Sequence, residues 1–375
     1  MSGRIIHVPL GDAAYDIVIE PGLLGRLGEL VAGVADRPVA VLAVDEQIET
    51  THGAAANRSL QDAGFTTTVI TLAADESRKT LATVHRMYEQ MLGGAVRPTR
   101  GSPVVAMGGG IVGDTAGFAA ATYQRGLPLV HVPTTLLAMV DASIGGKTGV
   151  NFELPGGGLG KNLIGAFWQP KAVLVDPAVL GTLGKRDLRC GLAECVKVAI
   201  IADPTLLDFL SDRVSAILEL DTATLIELID RCVRIKVAIV CEDERETGRR
   251  ALLNLGHTFA HAIEAHQHLG LRHGEAVSIG LAAAMECGVR TGRMNEADRG
   301  RVTTVLETIG LPVALPEPVP IGGLTHAMQF DKKAVGTKTR LIIPEGLGAA
   351  SIRDDVPEEV VNAAWVSVGA GSDRT

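Results

Sequence analysis

The sequence has few of the features that mark secreted or nucleic-acid-binding proteins. Its five cysteines form no CxxC pair, and scattered cysteines in odd number are typical of reduced thiols, not of a disulfide framework. Positive charge is also scarce, because 35 Lys and Arg stand against 43 Asp and Glu, giving a net charge of −8. This balance argues against a nucleic-acid partner. It does not exclude a small anionic ligand, which needs only local cations.

Long apolar segments are missing as well. The uncharged stretch 126–140 is among the longest, yet it is too short to cross a bilayer and contains two prolines and a histidine. The first residues of the chain lack the apolar core of a signal peptide. We therefore expect a cytoplasmic protein without a membrane partner.

The pattern of apolar residues changes near the middle of the chain. In the first half, short β-branched runs alternate with helical patterns, which is typical of an α/β fold with a parallel sheet. Strands are predicted at 39–44, 66–72, 104–107 and 129–132, and a helix at 78–92. Amphipathic helices are predicted at 188–201, 223–241 and 257–266. A chain of 375 residues favours two domains, and we predict an α/β domain at 1–183 and a mostly α-helical domain at 184–375.

A glycine-rich turn follows the predicted strand at 104–107. Gly108, Gly110 and Gly113 match GxGxxG, and the backbone N–H groups of such a strand–turn–helix segment can approach a diphosphate. The acidic residue expected about 20 residues downstream is missing, but Asp45 ends another predicted strand, where it can contact a ribose hydroxyl. The pattern indicates a Rossmann-like dinucleotide-binding domain of a non-standard kind. A turn that serves packing alone is the alternative.

Ionisable residues are concentrated in three apolar segments of the second half, around Glu194, His257 and His273. Two imidazoles and one carboxylate that leave a position open are typical of a catalytic site for a divalent metal. The spacing alone leaves the ligands open, because His257 and His261 are also four residues apart. The glutamate of HExxH is absent there, since Thr258 occupies its position. Each histidine alone is more often structural, and Glu194 is equally compatible with a simple ion pair.

Cations that can hold phosphate or carboxylate groups also lie near glycines. They are Arg125, Lys147, Lys161, Lys197, Lys236, Arg250, Lys332 and Lys333. Most lysines and arginines are solvated surface residues. Lys147 is a better candidate, because it lies among the glycines of 144–149, where an ammonium and backbone donors can meet one anion.

Together these segments resemble the 3-dehydroquinate synthase family. The matching motifs are GGGIVGDTAGFAAATYQRG at 108–126, PTTLLAMVDASIGGKTGVN at 133–151, GKNLIGAFWQP at 160–170, GLAECVK at 191–197, RALLNLGHTFAHAIE at 250–264, HGEAV at 273–277 and DKK at 331–333. The resemblance extends over most of the chain, from near residue 10 to near residue 360. Several of the motifs are too long to match by chance.

The resemblance implies two cofactors, NAD and one divalent metal ion, zinc or cobalt. The metal ligands would be Glu194, His257 and His273, which would make His261 a residue of the catalytic pocket. NAD would lie against the glycine turn. The residues implied around it are Asp45, Asp75, Glu76, Lys79, Gly108, Gly109, Gly110, Ile111, Val112, Gly113, Asp114, Thr134, Thr135, Asp141, Lys147, Lys161 and Thr182.

The implied substrate is a phosphorylated seven-carbon sugar acid, 3-deoxy-D-arabino-heptulosonate 7-phosphate, which the family converts to 3-dehydroquinate in the shikimate pathway. Transient oxidation by NAD would acidify a C–H bond, so that phosphate leaves by elimination before re-reduction and an intramolecular aldol reaction. A homodimer is also implied. The catalytic and substrate-binding residues implied are Arg125, Asp141, Lys147, Lys161, Asn162, Lys197, Lys236, Arg250, Asn254, His261 and Lys333.

Two departures from the family pattern stand out. The segment 152–159 is longer than usual and contains three consecutive glycines, and Gln47 stands where the family often has Asn. The alternatives are sister sugar-phosphate cyclases that form inosose, valiolone or amino-dehydroquinate rings, a polyol dehydrogenase that would release NADH, and a catalytically silent paralogue. Retention of Arg125, Lys147, Asn162, Arg250 and the DKK motif favours the carboxylate-bearing substrate.

Overall fold

The computed structural model describes residues 3–155, 159–330 and 340–371. The chain forms two compact units, Met1–Leu183 with Leu225–Cys241, and Gly184–Thr224 with Glu242–Thr375. These units differ from the predicted sequence domains in the segment Leu225–Cys241, which belongs to the first unit. The domain division at 183 and 184 itself remains a prediction.

The first unit is built on a seven-stranded sheet. Its elements are β1 (Arg4–Val8), β2 (Tyr15–Ile19), α1 (Leu27–Ala32), β3 (Val39–Asp45), α2 (Ala54–Asp62), β4 (Thr66–Leu72), α3 (Leu81–Gly93), β5 (Val104–Gly108), α4 (Gly110–Thr122), β6 (Leu129–Pro133), β7 (Lys147–Glu153), β8 (Leu159–Phe167) and β9 (Ala172–Val175). The strand order is β1-β2-β9-β6-β5-β3-β4, and every neighbouring pair except β1 with β2 is parallel. Strands β7 and β8 form a separate antiparallel hairpin. The predicted α/β class is confirmed.

The central strands are buried because helices cover parallel sheets on both faces. All five residues of β5 and of β6 are buried, which explains why β5 is a continuous apolar run and why His131 is the one ionisable residue of β6. The four predicted strands are confirmed. The helix predicted at 78–92 begins later, at Leu81, because the Thr80 side chain caps it by accepting from the backbone N–H of Thr83.

The second unit is mostly helical, as predicted. The remaining elements of the chain are α5 (Lys185–Ala202), α6 (Pro204–Leu218), α7 (Thr222–Glu242), α8 (His257–Glu264), α9 (His273–Arg290), α10 (Glu296–Ile309), α11 (Ile321–Phe330), β10 (Leu341–Pro344), β11 (Ala350–Arg353) and α12 (Glu358–Ser367). Most of α7 belongs to the first unit. Strands β10 and β11 pair antiparallel.

Glycines allow three helices of the second unit to approach backbone to backbone. A Cβ atom on Gly274 of α9 would lie 2.3 Å from the carbonyl oxygen of Cys190 on α5. A Cβ atom on Gly280 of α9 would lie 2.2 Å from the carbonyl oxygen of Gly256, which precedes α8. Real Cβ atoms do not approach backbone so closely, so no other residue fits at these two positions without moving a helix.

One buried carboxylate holds together two loops of the first unit. Asp176 accepts hydrogen bonds from the backbone N–H groups of Gly22 (2.9 Å), Leu24 (3.2 Å) and Ala178 (3.0 Å). We expect Asp176→Ala to lower the free energy of unfolding by about 3 kcal/mol, because buried N–H groups would lose their acceptor. Urea denaturation measures this. Asp62→Ala, at the exposed end of α2, is the control and should change stability by less than about 0.5 kcal/mol; equal stabilities of both variants would contradict the prediction.

Candidate active site

Three side chains of the second unit converge on one point. Glu194 lies in the middle of α5, and His257 and His273 are the first residues of α8 and α9. The Oε1 atom of Glu194 lies 3.6 Å from Nε2 of His257 and 3.4 Å from Nε2 of His273. Side-chain exposure is 1% for Glu194, 11% for His257 and 37% for His273. The cluster is therefore buried on the glutamate side and reaches solvent at His273.

The outer nitrogen of each imidazole also has an acceptor. Nδ1 of His257 lies 3.1 Å from the carbonyl oxygen of Leu255, and Nδ1 of His273 lies 3.2 Å from Oε1 of Glu264. When Nδ1 carries the proton for such a bond, the lone pair of Nε2 points to the centre of the cluster. This is the arrangement of histidines that bind metal ions.

The separations within the cluster fit one metal ion. Ligand atoms at about 2.0–2.1 Å from a tetrahedral ion lie about 3.4 Å from one another, close to the two measured distances. Among the described residues, Glu194, His257 and His273 are the group whose donor atoms lie mutually close enough to share an ion. Their donor set, one carboxylate and two imidazoles, suits zinc or cobalt.

The two histidines differ in their protonation. Burial, together with the nearby Lys197 ammonium, lowers the pKa of His257 to about 3, so its imidazole is neutral and able to ligate. Burial also opposes a charge on His273, but the carboxylates of Glu194 and Glu264 outweigh it and raise the His273 pKa to about 10. The cluster thus stabilises a positive charge at His273, which a metal cation would supply on displacing the proton.

Lys197 and Arg250 are two fully buried cations of the second unit. The Lys197 ammonium lies 2.5 Å from Oε2 of Glu194, the oxygen that does not face the histidines. Arg250 donates to the backbone carbonyl of Glu244, and both cations have an exposure of 1%. Such burial of a charge requires a partner of opposite sign or a well-placed acceptor.

The segment before Arg250 is a tightly bonded loop. Asp243 accepts from the backbone N–H groups of Thr247 (2.9 Å), Gly248 (2.7 Å) and Arg250 (3.0 Å), and these bonds, that of Thr247 above all, lower the Asp243 pKa to about 2. Farther along, Asn254 donates to Oε1 of Glu246 at 2.6 Å. The structure thus holds Arg250 and Asn254, two predicted substrate residues, in one ordered turn.

His261 lies one helical turn beyond His257 on α8. The two rings meet edge to face with their centroids 5.7 Å apart. The structure brings His273 rather than His261 into the group of close donor atoms. The place of His261 beside the cluster agrees with the pocket role that the resemblance implies, and that role remains a prediction.

In the first unit, the glycine turn lies at the carboxyl edge of the sheet. Gly108 ends β5, Gly109 precedes α4, and within the described residues no side chain caps that helix. The backbone N–H of Gly113 donates to the carbonyl of Gly109 at 3.0 Å, so the N–H groups that suit a phosphate are those of Gly110 to Val112. Asp45 ends the neighbouring strand β3. The sheet changes direction between β3 and β5, because β3 leads to β4 and β5 leads to β6, and nucleotides bind at such points.

Several residues predicted to contact NAD lie near this edge. The backbone N–H of Thr134 donates to the carbonyl of Gly108 at 3.0 Å, and Thr135 is the residue nearest to a Cβ atom on Gly109. Burial raises the pKa of Asp45, whose carboxylate accepts from the backbone N–H of Gln47 at 3.0 Å. The turn, with Ile111, Val112 and Asp114 in α4, is thus formed as the sequence predicted.

A polar cluster joins Lys79, Asp114 and Asn162 in the first unit. The Lys79 ammonium lies 2.5 Å from Oδ2 of Asp114 and also donates to the side-chain oxygen of Asn162. Burial raises the pKa of Asp114 even though Lys79 opposes this. The backbone N–H of Asn162 donates to Oδ1 of Asn151, whose amide donates to Oε1 of Glu76 at 2.7 Å. Asn151, which was not predicted from the sequence, therefore links Glu76 to the cluster of the other three residues.

The other predicted residues of the first unit have separate contacts. Lys236 of α7 donates to the side chain and the backbone carbonyl of Asp141. Asp75 caps the short turn at Glu76 by accepting from the backbone N–H of Ser77 at 2.7 Å. Thr182 bonds to Nε2 of His52 at 2.9 Å, a partner that the sequence did not reveal.

The remaining predicted cations lie on the hairpin β7–β8, after α4 or outside the described residues. Lys147 and Lys161 are exposed on the hairpin β7–β8. Arg125 follows α4, a helix whose 13 residues place its ends about 20 Å apart, so Arg125 is far from the glycine turn. Lys332 and Lys333 lie outside the described residues.

Glu264 and Glu246 are the acidic residues of the second unit that sequence reasoning missed. The sequence does contain a pattern that marks Glu264: it lies seven positions after His257, which places both residues on one face of a helix. No such pattern marks Glu246, whose contact with Asn254 depends on the course of a loop.

Fold and cluster together define a class: an α/β unit with an uncapped glycine turn, joined in one chain to a helical unit with a buried Glu–His–His metal-ligand cluster. Sequence models of this class match the chain. The model of the 3-dehydroquinate synthase N-terminal domain matches residues 69–190, and that of the 3-dehydroquinate synthase C-terminal domain matches 191–334. The chain therefore belongs to the 3-dehydroquinate synthase family.

Individual relatives support this membership. The chain is 44% identical over 374 residues to the 3-dehydroquinate synthase of Caulobacter vibrioides, which covers 98% of this chain and 99% of that protein. Among solved structures, the 2-epi-5-epi-valiolone synthase of Streptomyces hygroscopicus, with NAD+ and Zn2+ bound, is 31% identical with a TM-score of 0.84, covering 94% and 96% of the two chains. A probable glycerol dehydrogenase from Sinorhizobium meliloti shares only the fold, at 16% identity and a TM-score of 0.63 over 94% and 96% of the chains.

In the part of the chain that the structure describes, no helix combines the length and the apolar character that crossing a membrane requires.

Proposed function

We propose that the protein is a 3-dehydroquinate synthase, a carbon–oxygen lyase that converts 3-deoxy-D-arabino-heptulosonate 7-phosphate to 3-dehydroquinate and phosphate. The observation that carries the proposal is the convergence of Glu194, His257 and His273 in a chain 44% identical to a relative of that name. The same convergence argues against a catalytically silent paralogue.

The cofactors of the proposed reaction are NAD and one zinc or cobalt ion. When bound, NAD accepts and later returns a hydride, while the ion polarises an alcohol oxygen of the substrate and makes it more acidic. Glu194, His257 and His273 would hold the ion. The first turn of α4 would hold the diphosphate of NAD, and Asp45 would accept hydrogen bonds from a ribose hydroxyl.

The residues of the chain contribute binding and orientation. Lys197 holds one oxygen of Glu194 at 2.5 Å, which leaves the other oxygen directed at the two histidines. Arg250, fixed by the loop at Asp243, and the exposed Lys147 and Lys161 are anchors proposed for phosphate and carboxylate groups. Anchors on both ends of a substrate restrict it to one conformer through successive steps, which lowers the barrier to each step.

The remaining roles rest on the resemblance alone and stay proposals. They concern Arg125, Asp141, Asn162, Lys236, Asn254, His261 and Lys333 at the substrate, and Asp75, Glu76, Lys79, Thr134, Thr135 and Thr182 at NAD. A homodimer and a cytoplasmic location are likewise proposed. Light scattering coupled to size-exclusion chromatography tests the dimer directly.

The experiment that tests the function follows phosphate release from 3-deoxy-D-arabino-heptulosonate 7-phosphate with NAD+ and Zn2+. We expect one dehydroquinate per phosphate, no net NADH absorbance, loss of release with a metal chelator, and recovery when Zn2+ is returned. Net NADH would indicate a dehydrogenase. No release from a protein that binds NAD and metal would indicate a sister cyclase, the second candidate because of the valiolone synthase similarity.

A further inference from the structure

His273 is the ligand of the candidate metal cluster that is least fixed by packing. Its side chain is 37% exposed, compared with 11% for His257 and 1% for Glu194. It stands at the start of α9, and the next residue is Gly274, which has no side chain to support the ring. Hydrogen bonds must therefore contribute more to the orientation of this imidazole than to that of His257.

One side chain is placed to supply that orientation. Glu264 ends α8 and is 11% exposed, and its Oε1 atom lies 3.2 Å from Nδ1 of His273. On the opposite side of the ring, Nε2 lies 3.4 Å from Glu194. The imidazole is thus held between two carboxylates, one at the centre of the cluster and one outside it.

The outer partners of the two histidines differ in charge. Nδ1 of His257 faces a neutral backbone carbonyl, that of Leu255, whereas Nδ1 of His273 faces a carboxylate. An anionic acceptor fixes the tautomer and increases the donor strength of the other nitrogen. Helix α8 therefore provides a ligand at its first residue, His257, and the partner of another ligand at its last residue, Glu264.

We propose that Glu264 is a positioning residue of the metal site: its carboxylate accepts the Nδ1–H of His273 and directs Nε2 of that ring to the ion. This inference rests on the proposed function, because it requires that Glu194, His257 and His273 bind a divalent ion. Glu264 is not itself a ligand, since it lies on the far side of the His273 ring.

The test is the metal affinity of the full-length protein with Glu264→Ala and Glu264→Gln, measured with Zn2+ and Co2+ in competition with a chelator. We expect Glu264→Ala to weaken binding by about 10–100-fold, the effect of losing an outer partner of a ligand. Glu264→Gln keeps an acceptor oxygen and the shape of the side chain, so we expect a smaller loss. The visible spectrum of the Co2+ complex should change in Glu264→Ala and approach that of the parent in Glu264→Gln.

Asp16→Asn is the matched control, because the exposed side chains of His7 on β1 and Asp16 on β2 form a similar pair at 2.8 Å. It should leave metal affinity unchanged. Parental affinity and an unchanged Co2+ spectrum in Glu264→Ala would overturn the inference while leaving the proposed function intact. A parent protein that binds neither ion would instead overturn the proposed metal site.

Discussion

Replacing Glu194 by glutamine is expected to stop phosphate release and to lower zinc affinity by more than about 100-fold. The loss of a hydrogen-bond partner of a metal ligand already costs up to about 100-fold, and Glu194 is proposed to be a ligand itself. An amide is a much poorer ligand than a carboxylate, and Glu194 is the member of the cluster that both imidazoles face. The change also removes the carboxylate charge that lies 2.5 Å from the buried ammonium of Lys197. Breaking a buried ion pair in this way costs about 3–5 kcal/mol of stability, so the melting temperature should fall as well.

A second buried glutamate separates the two effects. Glu286 on α9 is 8% exposed and bonds to Nε of Arg290 at 2.7 Å and to Arg299. Glu286→Gln should lower stability by a smaller amount, because its partners Arg290 and Arg299 are 48% and 35% exposed and remain solvated. Zinc affinity, measured by chelator competition, should stay at the parental value. If Glu194→Gln bound zinc as tightly as the parent protein, Glu194 could not be a ligand.

Gly274→Ala is expected to lower both the stability and the zinc affinity of the protein. The added methyl carbon would lie 2.3 Å from the carbonyl oxygen of Cys190 and 2.4 Å from its Cα atom, so α5 and α9 must separate by about 1 Å to restore normal contact. Overpacking of this kind costs about 1–3 kcal/mol. Because His273 precedes Gly274 and Glu194 lies one turn beyond Cys190, the separation should also move these two ligands apart.

Metal coordination is sensitive to such a movement, because ligand distances vary by only about 0.2 Å between functional sites. We therefore expect zinc affinity to fall by at least about 10-fold, close to the loss expected for an outer partner. Gly300→Ala is the control: Gly300 lies within α10 with nothing near the position of a Cβ atom, and the change should stabilise the helix by about 1 kcal/mol. An unchanged zinc affinity in Gly274→Ala would show that helix spacing does not set the cluster.

The sequence predicted β3, β4, β5 and β6, which are short runs rich in apolar or β-branched residues. It did not predict β1, β2 and β9, which form one end of the sheet. Strands β1 and β2 are short and pair with each other locally, but β2 joins the sheet by pairing with β9, more than 150 residues away. Contacts over such distances have no local signal.

The candidate site was predicted by motifs more than by spacing. Spacing could not choose between His261 and His273 as the partner of His257, because the choice depends on where α8 ends and how α9 returns. In the structure, the close contact of Gly274 with Cys190 brings the start of α9, and with it His273, beside α5. These residues are far apart in the chain, so the spacing of the histidines contains no sign of the contact. Arg125 lies in the same motif as the glycine turn but at the other end of α4, and its substrate role remains a prediction.

The hairpin β7–β8 explains how the chain accommodates its long segment 152–159. Phe152 pairs with Gly160 and Glu153 pairs with Leu159, so part of the added length continues the two strands. The register shifts between Val150 and Phe152, and the intervening residue Asn151 is tied to the backbone of Lys79 and of Asn162.

This irregularity divides the hairpin into a base, from Lys147 and Phe167 to Val150 and Ile164, and a short end beyond it. It fixes the pairing of the strands from Lys147 to Val150, whatever number of residues lies between the irregularity and the tip of the hairpin. Residues can therefore be gained or lost at the tip without sliding Asn162 along its partner strand. The extra length is a change in the periphery of the protein, and evolution can vary it there independently of the chemistry.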